Sequence, residues 1–158
     1  VYELNAEPAA DVYARLVGVP LEALDRKVFA LRPLGVKVGG NYFVRSIQRV
    51  NSDRSLTFYC AVETGIVMTP MTPDSLLDQV RFQLEASERL VGPPLVTLGC
   101  DCFLRRLEAE LTGQEEAVSR FLQAHRVVGF NTYGEQFNGV HINQTFTGVV
   151  IGQPESGF

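Results

Sequence analysis

Apolar and polar positions recur along the chain with two different periods, and each change of period marks an element boundary. Tyr2-Glu3-Leu4 predicts a short strand. Pro8 opens a helical stretch with Val12, Leu16 and Val17 on one side; Gly18 ends it, and Pro20 starts a further turn running to Leu31. From Leu34 to Val50 the composition turns β-rich, with Gly39-Gly40-Asn41 as a turn between Gly35–Val38 and Tyr42–Val50. After a turn at Asn51-Ser52-Asp53, Leu56–Val62 alternates: Leu56, Phe58 and Cys60 face one way, Thr57 and Tyr59 the other. Glu63-Thr64-Gly65 leads into Ile66–Thr69, so this block predicts an antiparallel meander.

Pro70 and Pro73 then break the sheet, and Thr72 is placed to cap a helix with Pro73 at its first position. Leu76, Leu77, Val80 and Leu84 give helical spacing, predicting an amphipathic helix over Asp74–Leu90 that Gly92-Pro93-Pro94 stops. Leu95–Leu98 reads as a short buried strand. Leu104, Leu107 and Leu111 mark a helix. Thr112 with Glu115 forms a capping-box pattern for another, running through Ala124 with Ala117, Val118, Phe121 and Leu122 as its apolar stripe. Val127–Tyr133 and Val140–Ile151 are the last strands, with Asn138-Gly139 as a hairpin signal between them. This order predicts an α+β domain: a largely antiparallel mixed sheet with helices packed on it, and one strand after a helix pairing in parallel.

Composition adds exclusions. The 158 residues are 46% hydrophobic and 20% charged, which is ordinary for a packed domain. The net charge of -4 argues against nucleic acid as a partner, and no apolar run is long enough to cross a bilayer. Cys60, Cys100 and Cys102 are too few and too closely spaced for a disulfide framework, which favours a reducing, cytoplasmic setting. The chain starts at Val1 and reads as a piece of a longer one.

Among candidate chemical groups, Cys100-Asp101-Cys102 stands out. Placed between a strand and a helix, its backbone amides would face an anion, and Arg105 and Arg106 follow one turn later. The same position would lower a thiol pKa, opening a thiol-dependent enzyme using Cys100 or Cys102; the bland alternative is a packed cysteine with Asp101 capping the helix. Tyr133-Gly134-Glu135 ends a strand where a Tyr and a Glu can line a pocket mouth, with Asn131, Thr132, Asn143 and Thr145 nearby in sequence. Alternation puts His141 on the strand face shared with Asn143, as a hydrogen-bonding or ligating imidazole; His125 sits at a helix C-terminus, which favours a partly charged ring. No GxSxG, HExxH or CxxC pattern occurs, so binding fits better than turnover.

Gly129-Phe130-Asn131-Thr132-Tyr133-Gly134-Glu135 with the downstream Asn143-Gln144-Thr145 resembles the ending of the FIST C-terminal domain. Leu98 through Arg106 resembles its small-residue-cysteine-arginine motif, and the segment from Tyr2 to Tyr13 its start. The resemblance implies a single FIST C-terminal-type domain over 1–158, normally preceded by an N-terminal FIST half. It also implies an intracellular sensory role in bacterial signal transduction, partnered with a histidine kinase or a cyclic-di-GMP signalling enzyme. The segments Cys102–Glu108 and Tyr133–His141 further resemble the haem-binding, nitric-oxide-sensing branch, which implies haem b with a histidine axial ligand; from its strand face, His141 is the candidate. The expected pocket is lined by Cys100, Asp101, Cys102, Arg105, Arg106, Tyr133, Glu135 and Asn143. The alternative ligand is a small anionic metabolite such as an amino acid, held by the helix N-terminus and the arginines. A fourth possibility is a half that only docks against its N-terminal partner through an apolar patch.

Overall fold

A computed structural model describes residues 1–153 of the chain. In chain order these form β1 (Glu3–Leu4), β2 (Glu7–Pro8), α1 (Ala9–Val17), a 3-10 turn at Leu21–Ala23, α2 (Arg26–Leu31), β3 (Leu34–Val38), β4 (Asn41–Arg45), β5 (Ile47–Val50), β6 (Leu56–Phe58) and β7 (Met68–Pro70). There follow α3 (Leu76–Val91), β8 (Pro94–Cys102), α4 (Phe103–Thr112), α5 (Glu115–Ala124), β9 (Val127–Thr132), β10 (Glu135–Phe137), β11 (Val140–Ile142) and β12 (Phe146–Gly152). Helices and mostly antiparallel strands mix as an α+β fold. Among the described residues the chain divides into two compact units, one of Val1–Pro73 with Gln136–Gln144, the other of Asp74–Glu135 with 145–153.

In the first unit, α1 begins straight after Pro8, whose fixed φ suits a helix entry, and ends at Gly18 in the left-handed conformation. The helical run expected from Pro20 to Leu31 is interrupted. Asp25 accepts a hydrogen bond from the Val28 amide at 2.9 Å and so starts α2 afresh. The expected meander is also corrected. Gly39 and Gly40, both at positive φ, turn β3 into β4, but β3 is then flanked on its other side by β7, while β5 and β6 pair separately. Pro70, expected to break the sheet, ends β7 instead; an edge strand tolerates a residue without an amide donor. β6 stops at Phe58, leaving Cys60 outside any strand. Tyr13, Phe29, Leu34, Ile47 and Leu56 form the core of this unit, with Ala9 and Ala10 letting α1 approach closely. Asn138 and Gly139, both at positive φ, make the β10–β11 hairpin turn the sequence signals.

In the second unit the sheet order is β12-β8-β9, with β8 antiparallel to β12 and parallel to β9. A parallel neighbour needs a crossover, which α4 and α5 supply. Ser75, not Thr72, caps α3 by accepting from the Asp78 amide. Thr112 caps nothing at α5: it is the last residue of α4 and donates to the Glu108 carbonyl at 2.7 Å. The strand expected over Val140–Ile151 is broken at Gln144, which has positive φ. On the sheet face away from the α5 side, Leu98, Val128, Phe130, Val149 and Ile151 are all exposed. Among the described residues no helix is long and apolar enough to cross a membrane.

Candidate functional site

The strand read as Leu95–Leu98 runs on through Cys102, and this changes the meaning of the Cys100-Asp101-Cys102 cluster. Cys100 and Asp101 pair with Thr147 and Phe146 of β12 on one side and with Phe130 and Asn131 of β9 on the other. The Cys102 amide donates to the Thr145 carbonyl at 3.0 Å. The segment is thus the middle of a sheet and not an anion-facing turn, and Asp101 does not cap α4, whose N-cap is Cys102 without a side-chain bond. Successive strand residues point to opposite faces, so the cysteines look away from Asp101. Cys102 is completely buried and Cys100 half-buried.

Asp101 looks toward the helices. Its Oδ1 accepts from Arg105 Nε at 2.7 Å, one helical turn on, and Arg105 Nη2 donates to the Leu76 carbonyl at 3.2 Å. Burial pushes the Asp101 carboxyl above its ordinary value, and the facing Arg105 offsets part of that. Asn131 Nδ2 donates to the Asp101 carbonyl at 3.2 Å, so the carboxyl ends of the two parallel strands are tied together. Between these strand ends, α4 and α5 lies a cleft of about 410 Å³. Its lining mixes polar side chains, Asp101, Arg105, Asn131, Glu115 and Ser119, with apolar ones, Leu76, Ala109, Val118 and Leu122. Arg106 reaches the rim, where it pairs with Glu110 at 2.9 Å. A smaller pocket of about 220 Å³ adjoins it through Asp101, Leu122 and Asn131 and runs along Gly99, Gly129 and Phe146.

The cleft thus gathers Asp101, Arg105 and Arg106 from the expected set. Glu135 is buried in the same unit, but its carboxylate accepts from the Thr132 and Thr145 hydroxyls, joining the end of β9 to the start of β12. Tyr133 is exposed, with its ring 5.8 Å from that of Phe103. His125 pairs through Nδ1 with Glu88 at 2.5 Å and packs on Phe121, which holds its ring in a structural contact.

The family model for the FIST C domain matches residues 9–138. The chain belongs to the FIST C domain family. This is a family of sensory domains. No curated protein and no solved structure matches the chain in the other two comparisons.

The remaining expected residues of this FIST C domain, His141 and Asn143, lie in the first unit. Asn143 is completely buried: its Oδ1 accepts from the Ser46 amide at 3.4 Å, and its Nδ2 is 3.4 Å from His141 Nε2. The His141 carbonyl accepts from Arg45 at 2.9 Å, which holds β11 beside β4. The cleft residues do not fit an iron porphyrin, because none of the side chains lining it is a histidine, cysteine, methionine or tyrosine. Among the described residues no group of three or more His, Cys, Asp or Glu side chains is placed to hold a metal ion.

Two features escaped sequence reasoning. Glu115 and Ser119 join the cleft only because α5 packs beside β9. Glu108 is buried on α4 and its carboxyl is pushed up by burial, with Arg105 as the opposing influence. Its signal was present in the pattern, since an acid at 108 interrupts the apolar stripe of Leu104, Leu107 and Leu111.

Proposed function

We propose that this FIST C domain is the ligand-binding input half of a bacterial signalling protein, and that its ligand occupies the cleft at the carboxyl ends of β8 and β9. The observation that carries this reading is the Asp101–Arg105 pair, set at the carboxyl edge of a parallel strand pair in a cleft that apolar side chains also line. Ligands of open sheets with helical crossovers sit at that edge, and a pocket mixing apolar walls with few fixed polar groups suits a small molecule. Binding without turnover acts by differential affinity: a ligand that prefers one conformation shifts the population that a partner reads. The partners in this reading are an N-terminal FIST half and a histidine kinase or cyclic-di-GMP signalling enzyme. The exposed apolar sheet face of Leu98, Val128, Phe130, Val149 and Ile151 supports a protein contact of this kind.

The test is a thermal-shift screen of the chain against small metabolites, repeated on Val118→Trp, which fills the cleft. A compound that raises the melting temperature of the natural chain and not of the filled one supports the cleft. Stabilisation that survives filling rejects it. A haem b form responding to nitric oxide belongs to the same sensory reading but places its ligand elsewhere, on the half-buried His141. An absorbance titration with haem, with and without nitric oxide, checks it: a Soret band lost in His141→Ala supports that form, and an unchanged spectrum removes His141.

A further inference from the structure

The groups left over in the cleft define the charge of what fits there. Arg105 faces Asp101, and Arg106 faces Glu110, so each guanidinium on the cleft already has a carboxylate beside it. Glu115, in the first turn of α5, has no basic partner among the described residues. The lining itself balances, Asp101 and Glu115 against Arg105 and Arg106, but with Glu110 beside Arg106 the carboxylates at the cleft and its edge outnumber the guanidiniums by three to two, and both guanidiniums are already engaged. Hydrogen bonding points the same way. Asp101 uses Oδ1 on Arg105, and Asn131 uses its amide nitrogen on the Asp101 carbonyl. Among the described residues this leaves Asp101 Oδ2, Asn131 Oδ1 and the Glu115 carboxylate without protein partners, and all three are acceptors. The Ser119 hydroxyl adds a further polar group to the lining.

We infer that the cleft takes an aliphatic amine cation, its ammonium donating to Asp101 Oδ2 and Asn131 Oδ1 and its stem lying along Leu76, Ala109, Val118 and Leu122; this rests on the cleft being the ligand site. An ammonium is matched to that constellation because it offers three donors and no acceptor. Asp101 is largely buried, with its side chain 16% exposed, so a second cation beside it meets little competition from water. A carboxylate ligand would instead face unpartnered acceptors and Glu115.

The test uses two probes of one length and opposite charge, n-butylammonium and butyrate, titrated at millimolar concentration into the isotope-labelled chain at constant ionic strength. Backbone and side-chain amide shifts are followed by NMR. The expected result is saturable movement of the Ser119 and Asn131 signals with butylammonium and none with butyrate. Asp101→Asn should weaken that binding by about tenfold or more, the loss of one charge-assisted hydrogen bond. The surface substitution Glu115→Gln, which leaves the packing untouched, should weaken it a few-fold and reduce its salt sensitivity. Movement of the cleft signals by butyrate and not by butylammonium overturns the amine inference while leaving the cleft as the ligand site. If neither probe moves the cleft signals, the amine inference falls, and the thermal-shift comparison of the natural chain with Val118→Trp decides the cleft separately. Binding of butylammonium that is unchanged in both variants also overturns the inference.

Discussion

Replacing Arg105 by methionine isolates what the Asp101–Arg105 pair does for the cleft. Methionine keeps most of the side-chain length and removes the charge. In the natural chain the two side chains are 11% and 16% exposed, their N–O distance is 2.7 Å, and Arg105 also donates to the Leu76 carbonyl. Removing one partner of a fully buried pair costs about 3–5 kcal/mol because the other charge stays desolvated. Residual exposure of this pair lowers the expectation to about 2–4 kcal/mol at pH 7. The pH dependence is the sharper signature. Burial already holds the Asp101 carboxyl above its ordinary value, and Arg105 opposes that shift, so the substitution raises the carboxyl further; Glu108, which also feels Arg105, moves the same way. A folded-state carboxyl raised above its unfolded value binds its proton at a pH where the unfolded chain has released it. Stability therefore rises as pH falls from the raised value toward the unfolded one, about 4. The deficit of Arg105→Met should shrink between pH 7 and pH 5. Urea unfolding followed by circular dichroism at both values measures it. A loss below about 1 kcal/mol at pH 7, or a deficit that is constant or larger at pH 5, refutes the reasoning.

Gly129→Ala should destabilise the second unit by about 3 kcal/mol or more, because a β-carbon at 129 falls 1.8 Å from the Gly99 carbonyl oxygen, backbone that cannot swing aside. In a unit of this size that corresponds to a melting temperature lower by roughly 12–24 °C, and an unchanged melting curve counts against the close approach of β8 and β9. Glu108→Gln keeps the shape and removes a buried charge held unfavourably at neutral pH, so it should stabilise the chain by about 1 kcal/mol at pH 7. The gain should fade on acidification, as the natural carboxyl takes up its proton; destabilisation at pH 7, or a pH-independent effect, contradicts the assignment.

Much of the local structure was legible along the chain because it rests on short-range rules. Gly18 ends α1 since only a residue without a β-carbon adopts positive φ freely, and Gly39-Gly40 turn a hairpin for the same reason; at Asn138-Gly139 the first position is an asparagine, whose short polar side chain tolerates positive φ. The half-buried stripe of Ala117, Val118, Phe121 and Leu122 follows from helical periodicity alone, and so does α3. The errors fell where short-range rules compete. Asp25 and Ser75 captured the helix starts expected nearer to prolines, and a Thr-Glu spacing that imitates a cap belongs to the end of the preceding helix.

The chain by itself also specified the family motifs and placed Asp101, Arg105 and Arg106 within a few residues of one another. Only the tertiary structure decided what they do. The pairing of β8 with both β12 and β9 continues the strand through Cys102, and strand alternation then separates the cysteines from Asp101. Long-range packing of α5 beside β9 brings Glu115 and Ser119 to the same cleft as Asp101, Arg105 and Asn131. Sequence spacing sets which side chains share a face of one element. Which faces meet depends on pairings between residues far apart in the chain, and these no local pattern encodes.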